Sequence, residues 1–542
     1  MEGASPVTGG RTALVVGGGM SGLLAARELA QAGLAVTLLE ATGSWGGCVG
    51  RHVVAGLTLD SGAESFATRS SAVADLAGEL GLSDAIVSPH PGGAWVQLPD
   101  GARELPRTGI LGIPANPWDQ EVRRSLGFAG SLRASLDRFL PASLGTTADV
   151  TSVSALVRAR MGRRVLSRLV EPVVGGVHSA DPALLDVDMV APGLRAGITK
   201  HGSLAAAVAA QRRSPARPSP AEGAGGRAAG GSEGAAKAGS AVGGLTGGMH
   251  TLVTALVADL QRRGVNLISG TRARTAVRTA DGWRITAAAS AAGSGPGGRT
   301  ERADQTERAD QTERAQQTEP AEQTEPAEQT ERTYDAGVLV VALDGPAAVG
   351  LLEPAVPALA GHRPAPGPEV KLVTLVVDLP ELDGRPRGTG VLVAPQTQGI
   401  HAKALTHATA KWDWLAAEAG PGRHVVRLSY GRRDGASPGR TDQGSPNIAA
   451  LPDTALLELA LNDASALLTV PVSADSLVDW DVVSWAGALP FAAVGHRQRV
   501  AEVRRICEGS DALVLVGGWL AGNGLAAVVA DTRKQLQTFL GQ

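Results

Sequence analysis

The sequence predicts an α/β protein in which one nucleotide-binding sheet is assembled from distant parts of the chain. Three observations point there. The amino terminus holds a βαβ unit, Thr12-Ala-Leu-Val-Val-Gly-Gly-Gly-Met-Ser-Gly22, followed by Val36-Thr-Leu-Leu-Glu40. The middle holds a helix from Met249 to Arg262 and a strand from Val265 to Ile268. The carboxyl terminus repeats a strand, a Gly-rich turn and a helix between Ala512 and Ala530. Nucleotide-binding elements at both ends imply a discontinuous Rossmann-like domain with an α+β domain inserted between its parts.

The first unit carries the most information. An apolar strand from Ala13 to Val16 ends in a tight turn. Gly17 permits the turn, Gly19 lets the backbone approach a pyrophosphate, and Gly22 lets the helix pack against the strand. The helix from Ser21 to Gln31 points its positive end at the phosphates. Glu40 follows Gly22 by 18 residues, where a carboxylate can accept from both ribose hydroxyls. An acid there disfavours a 2′-phosphate, so NADP is not expected.

The mid-chain helix places apolar residues at 252, 253, 256, 257 and 260, one face of an amphipathic helix, and Gly264 ends it. Trp283–Thr286 and Tyr334–Ala342 read as strands. Near the carboxyl end, Gly524 opens a second helix that could face a cofactor. A simple βα turn is the other reading of that block taken alone.

Two stretches read as disordered. Residues 212–244 are dominated by Ala, Gly, Ser and Pro. Residues 288–333 hold a hexad, Thr-Glu-Arg-Ala-Asp-Gln, which begins at Thr300 and drifts to Thr-Glu-Pro-Ala-Glu-Gln by Thr318. A period of six builds no apolar stripe, and Pro320 and Pro326 break any helix. With so little to bury, ordering entropy is not offset. The expected organisation is therefore 1–85, 245–345 and 485–542 as the nucleotide-binding domain. Residues 86–211 then form a helical part of the substrate domain, 212–244 a linker, and 346–484 its sheet.

Composition excludes several classes. The chain has 542 residues, 43% hydrophobic, with 50 Lys and Arg against 53 Asp and Glu. A net charge of −3 gives no electrostatic case for nucleic acid or for an anionic membrane. Six Lys against 44 Arg, with abundant Ala and Gly, fits a GC-rich bacterial genome. Two cysteines, Cys48 and Cys507, allow no disulfide framework, and a reducing cytoplasm is the expected compartment. No signal peptide and no apolar run of spanning length is visible, which leaves peripheral membrane contact open. The ten histidines have no metal-ligand spacing, and no metal is expected.

At this point the chain resembles a known family. Gly17–Gly22, Glu40, Gly46-Gly47 and Asp60-Ser-Gly-Ala-Glu-Ser-Phe66 resemble the FAD-dependent protoporphyrinogen and coproporphyrinogen III oxidases of haem biosynthesis, within the amine oxidase-like flavoproteins. Arg168–His178, Leu245–His250, Gly390–Pro395, Lys403–Trp412, Trp485–Pro490 with Val494–His496, and Gly517–Ala530 resemble later segments of the same family. The likeness covers nearly the whole chain apart from the two low-complexity stretches.

The resemblance implies FAD as cofactor. Gly17, Gly18, Gly19, Met20, Ser21 and Gly22 would hold its pyrophosphate, and Glu40 with Ala41 its ribose. Gly46, Gly47 and Cys48 would approach the cofactor closely, while Gly62, Ala63, Glu64 and Ser65 would line the isoalloxazine. Ala273 would meet the adenine through its main chain. Trp485 would pack beside the flavin, and Asn523, Gly524 and Leu525 would meet the ribityl region. Two departures stand out. Cys48 replaces the basic residue usual after the Gly-Gly pair, and reads as a small packing residue rather than a redox thiol. Phe491-Ala492 replaces Gln-Tyr after Pro490.

The activity implied is six-electron oxidation of a porphyrinogen to a porphyrin, with molecular oxygen as acceptor and hydrogen peroxide as product. The flavin carries that chemistry, so no side chain is expected to be catalytic. The substrate propionates need cations. Arg69, just past the flavin-lining stretch, is the candidate, while Lys403 and Arg427 read as solvated surface charges and His496 as structural. Coproporphyrinogen III is preferred over protoporphyrinogen IX because no strong membrane-docking stretch is visible and more propionates suit a water-soluble route. Another flavin oxidase of the group and a non-catalytic FAD-fold binding protein are the remaining readings.

Overall fold

The computed structural model describes residues 11–541 except 107–108, 148–149, 179–180, 214–241, 291–330, 368, 432–446, 488–494 and 523. Its centre is a five-stranded, all-parallel sheet. The strands are β1 (Thr12–Val16), β2 (Ala35–Leu39), β3 (Asn266–Ile268), β4 (Val338–Val341) and β5 (Leu513–Leu515), in the order β3-β2-β1-β4-β5. They come from three remote parts of the chain. Parallel strands buried on both faces need continuous apolar runs, and Val-Leu-Val-Val of β4 is buried at every position.

Alternation within β1 divides two cores. Ala13 and Val15 face one, with Leu23 and Leu24 of α1 (Met20–Gln31), Leu252 and Leu256 of α2 (His250–Arg262), and Val529 and Leu536 of α3 (Leu525–Leu540). Leu14 and Val16 face the other, with Trp283 and Ile285 of a three-stranded antiparallel sheet and Val349 of helix Gly345–Leu352. Arg27 on α1 is buried, and its Nε donates to Asp259 of α2 at 2.9 Å and its Nη1 to Glu79 at 2.6 Å. Pairing on both nitrogens compensates for taking that charge out of water.

A second, mixed sheet of seven strands lies apart from the first. Its order is Leu477–Trp485, Val370–Asp378, Arg423–Tyr430, Ala404–His407, Gly390–Val393, Trp95–Leu98 and Gly101–Glu104. One face packs Val373, Leu375 and Leu428 on helix Asp453–Leu468. The other packs Val376 and Val425 on the hairpin Arg51–Val54 and Leu57–Asp60. A cluster of helices between residues 120 and 213 forms its own core around Leu156, Leu166 and Ile198. Among the described residues no helix is long and apolar enough to cross a membrane.

Several boundaries differ from those the sequence suggests. Tyr334–Ala342 is two strands. Arg332–Ala336 pairs antiparallel with Gly282–Ala289, and β4 enters the parallel sheet after Gly337. The half-exposed first part suits an edge, and only the apolar second part suits the interior. Strand Val242–Leu245 begins inside the stretch read as linker and pairs with Phe66–Ala67 and Ile86–Val87. A Cβ on Gly243 would stand 3.1 Å from the Phe66 ring, so this glycine-rich run is built for close approach. At the other end of that stretch, Arg212 and Arg213 close helix Leu204–Arg213. Ala288–Ala289 and Arg332–Thr333 are likewise paired strand residues. Residues 214–241 and the hexad repeat lie outside the described residues. Helix Gly345–Leu352 packs with the nucleotide-binding sheet, not the seven-stranded one, while Trp95–Leu98 and Gly101–Glu104 join the latter from the segment read as helical.

Candidate functional site

The glycine turn after β1 is closed on one side and open on the other. Gly17 has φ +105°, and a Cβ there would lie 2.6 Å from the carbonyl oxygen of Ala342. A Cβ on Gly22 would lie 1.8 Å from the Gly17 oxygen, so α1 starts against the turn only because both are glycine. A Cβ on Gly18 would collide with Trp45 at 2.5 Å. Gly19 is different, with nothing within 4 Å on its Cβ side. That open flank at the start of α1 is where a pyrophosphate fits, with Met20 and Ser21 buried in the first turn.

Glu40 closes β2 with its carboxylate anchored. Gly18 N–H donates to Oε2 at 2.7 Å, and Thr42 N–H and Oγ1 donate to Oε1 at 2.7 and 2.8 Å. The carboxylate is thereby fixed at the strand end, and lone pairs remain for a ribose. Ala41 is half-buried beside it. Thr271 N–H donates to the Glu40 carbonyl at 2.8 Å, which sets the strand carrying Ala273 alongside, at a register shift in that strand.

Two loops then interlock. Gly46 N–H donates to Gly18 O at 2.8 Å, and a Cβ on Gly47 would stand 3.3 Å from Gly19 Cα. The Cys48 carbonyl accepts from Ala63 N–H at 2.8 Å, and a Cβ on Gly62 would lie 2.2 Å from that oxygen. At Cys48, expected to be a packing residue, the backbone carbonyl makes the loop contact, and burial raises its thiol. The other thiol, Cys507, is buried, and burial pushes it up to about 12. Both cysteines are free.

The stretch Asp60–Ser65 is clamped from two sides. The Asp60 carboxylate accepts from Met249 and His250 N–H at 2.9 Å each and contacts His250 Nδ1 at 3.0 Å, so it caps α2. From the seven-stranded sheet, Arg427 Nη1 donates to Gly62 O at 2.8 Å and to Asp60 O at 3.2 Å. Trp485 Nε1 donates to Ser61 O at 2.9 Å. Glu64 receives Lys411 Nζ at 2.6 Å and Arg427 Nη2 at 3.0 Å. Burial alone would raise the Glu64 carboxyl, but the Lys411 and Arg427 charges overcome it and hold it at about 2. Ser65 is half-buried beside it.

Arg427 and Lys403 were read as solvated surface charges, and both are corrected. Arg427 sits in a polar rung, Asp481, Thr374, Arg427 and Thr406, across four adjacent strands. Asp481 meets His52 Nδ1 of the hairpin at 2.7 Å, and Thr406 hydrogen-bonds Glu64. Lys403 is 2% exposed, with Nζ donating to Gly431 O at 3.2 Å. Position decided both, not residue type: Arg427 lies within a strand and Lys403 directly before the strand Ala404–His407.

The structure brings Gly17–Gly22, Glu40, Gly46–Cys48, Gly62–Ser65 and Trp485 into one connected surface at the carboxyl end of the parallel strands, as open α/β sheets require. Gly524 caps α3, and Leu525 packs against the core that includes Met20. Arg69 stands exposed in the turn after strand Phe66–Ala67. His496 is buried, with Nε2 2.6 Å from the Trp519 carbonyl oxygen. Asn523 and Phe491-Ala492 lie outside the described residues. Asp60 and Lys411 were missed. Asp60 ends an alternating strand and is followed by Ser61-Gly62, a cap signal that needs α2 in view to be read.

Residues 20–305, more than half of the chain, match the flavin containing amine oxidoreductase family. The chain is similar to the coproporphyrinogen III oxidase of Propionibacterium freudenreichii subsp. freudenreichii, at 29% identity over 96% of this chain and 89% of that protein. It is also similar to the coproporphyrinogen III oxidase of Mycobacterium leprae (strain TN), at 27% identity over 97% and 98%. Its fold resembles the crystal structure of a protein described as a protoporphyrinogen oxidase from Exiguobacterium sp. 255-15, with a TM-score of 0.70, 20% identity and 98% of each chain covered. The open glycine flank, the anchored Glu40 and the clamped 60–65 stretch fit FAD, the cofactor of an FAD-dependent oxidoreductase. The chain belongs to the flavin-containing amine oxidoreductase family.

Proposed function

We propose that this protein oxidises coproporphyrinogen III to coproporphyrin III in haem biosynthesis, with oxygen as acceptor and release of hydrogen peroxide. One observation carries the reading: the similarity to coproporphyrinogen III oxidases runs through 96% and 97% of the chain rather than through the cofactor motifs alone.

FAD supplies the redox chemistry when bound. The roles of the protein are to hold, orient and exclude water. In this reading Gly17, Gly18, Gly19, Met20, Ser21 and Gly22 hold the pyrophosphate, Glu40 and Ala41 the ribose, and the Ala273 main chain the adenine. Gly46, Gly47 and Cys48 present backbone to the cofactor. Gly62, Ala63, Glu64 and Ser65 form the floor under the ring, with Trp485, Gly524, Leu525 and Asn523 at its margins. Glu64 stays ionised because Lys411 and Arg427 face it, so these two cations are already engaged by a carboxylate. Arg69, exposed beyond that floor, is left to meet a propionate. The cytoplasm is the proposed compartment.

The test is to purify the protein, record its visible spectrum, and follow porphyrin fluorescence and peroxide after adding coproporphyrinogen III or protoporphyrinogen IX in air. A flavin spectrum with faster turnover of coproporphyrinogen III supports the reading. Faster turnover of protoporphyrinogen IX replaces the substrate. Flavin without porphyrin from either compound removes the assignment.

A further inference from the structure

Behind the clamped loop lies a small cavity that the ion pairs leave open. It measures about 30 Å³ and is bounded by the seven-stranded sheet, the hairpin strand Leu57–Asp60 and the helix Asp413–Ala419. Asp60, Glu64, Thr374, Trp414 and Arg427 supply its polar wall. Space of that size takes about one or two water molecules.

Two groups on this wall are buried without a partner among the described residues. Thr374 is 2% exposed, and its Oγ1 makes no hydrogen bond. Its cross-strand neighbours are Asp481 on one side and Arg427 on the other, both able to bond a hydroxyl. Asp481 is turned instead to His52, and Arg427 to Glu64 and the carbonyls of Asp60 and Gly62. Trp414 Nε1 is the second orphan. The helix cannot shift inward to satisfy either group. Trp412, just before it, is wedged against Gly244, where a Cβ would lie 2.6 Å from the ring. A buried hydroxyl or indole N–H left without a partner is costly.

The charges decide what occupies the cavity. Glu64 is matched by Lys411 and Arg427, and the Asp60 carboxylate by Met249 and His250 N–H. Matched charges draw in no ion, and an apolar guest would leave both orphans unmet. What the wall offers is a donor-only indole, a hydroxyl that donates and accepts, and carboxylate lone pairs. A water oxygen accepts from Trp414 Nε1 and Thr374 Oγ1, and a water proton goes to a lone pair of Glu64 or Asp60. About three bonds of this kind hold a typical buried water.

We propose that this cavity is a water site, in which Thr374 and Trp414 hold one ordered water against the Glu64–Arg427 pair and so fix the loop 60–65. Both are positioning residues, acting on that loop through the water and through Glu64. The inference rests on the reading of the loop as the floor under the flavin ring, and not on which porphyrinogen is the substrate.

The test uses the full chain with bound flavin. Its crystal structure should show water density within hydrogen-bond distance of Thr374 Oγ1 and Trp414 Nε1. Thr374→Val keeps the shape and removes the hydroxyl, and Trp414→Phe keeps a ring and removes the donor. Each should lower the melting temperature by about 2–4 °C, the loss of one buried hydrogen bond, and should move the flavin absorption bands. Thr374→Ser keeps the hydroxyl and should keep the parent bands. In a dry cavity Thr374→Val would remove an unmet hydroxyl and raise the melting temperature instead. A cavity without density, or a Thr374→Val variant at least as stable as the parent, overturns the proposal. Lowered melting temperatures with unmoved flavin bands overturn the positioning role. None of these readouts uses a porphyrinogen, so failure here is told apart from failure of the substrate assignment.

Discussion

Arg427 joins the two halves of the site through Glu64. One guanidinium nitrogen lies 3.0 Å from the Glu64 carboxylate, and the other donates to the carbonyls of Gly62 and Asp60. A side chain from the seven-stranded sheet therefore fixes the loop proposed to lie under the flavin ring. The Glu64 and Arg427 side chains are 15% and 14% exposed, so removing one strands the other. Arg427→Met should cost about 3 kcal/mol and lower flavin occupancy, read as melting temperature and the ratio of flavin to protein absorbance. A double-mutant cycle with Glu64→Gln should give a coupling of about 1–3 kcal/mol.

The glycine turn makes a sharper prediction. Gly22→Ala places a methyl 1.8 Å from the Gly17 carbonyl oxygen, which neither the turn nor α1 can relieve without moving apart. Gly33→Ala meets no atom within 4 Å, but its φ of +85° limits it to a modest strain. We expect Gly22→Ala to abolish FAD retention and Gly33→Ala to keep it, measured by the flavin spectrum after gel filtration.

Asp60 supports the same loop from the opposite side. Asp60→Ala removes the cap of α2 and leaves two N–H groups without their acceptor. The expected loss is about 1–3 kcal/mol. Trp485→Phe removes one donor from Ser61 and should cost about 1 kcal/mol. Chemical denaturation of each variant with FAD in excess measures both.

Acid should lower the stability of the fold over two pH windows. Burial and the neighbouring His424 and Arg385 depress His407 to about 3, far below the imidazole value of 6.5. The unfolded chain takes up that proton below pH 6.5 and the folded chain does not, so stability falls as pH drops from 6.5 towards 3. Burial also depresses His424 and His496, which act in the same direction. Glu64, held at about 2 against an ordinary 4.5, contributes about 3 kcal/mol in full above pH 4.5, and this is lost as pH falls towards 2. Melting temperature against pH should flatten partly between 6.5 and 4.5 in His407→Gln, and below 4.5 in Glu64→Gln.

The parallel sheet was legible because its signals are local. Each strand is an apolar run, each turn is marked by glycine, and each helix has a 3.6-residue stripe. Gly17, Gly22, Glu40 and the two flanking helices can be named from such patterns without knowing their neighbours. The seven-stranded sheet was harder to read. Its strands come from residues 95–104 and 370–485, and nothing local says that Trp95–Leu98 pairs parallel with Gly390–Val393. Low-complexity composition also misled at its edges, where Val242–Leu245 is a strand because Phe66 and Ile86 lie beside it.

The sequence by itself determined the cofactor class and the residues of the glycine turn. Those depend on backbone freedom and short-range spacing, which are properties of the chain. Only the tertiary structure decided that Arg427 and Lys411 are partners of Glu64, that Lys403 is buried, and that Phe128 and Phe139 face outward. A charge or an aromatic ring carries no label of its surroundings. Its pKa, its partner and its exposure are set by elements hundreds of residues away, and these are specified only when the sheets pack.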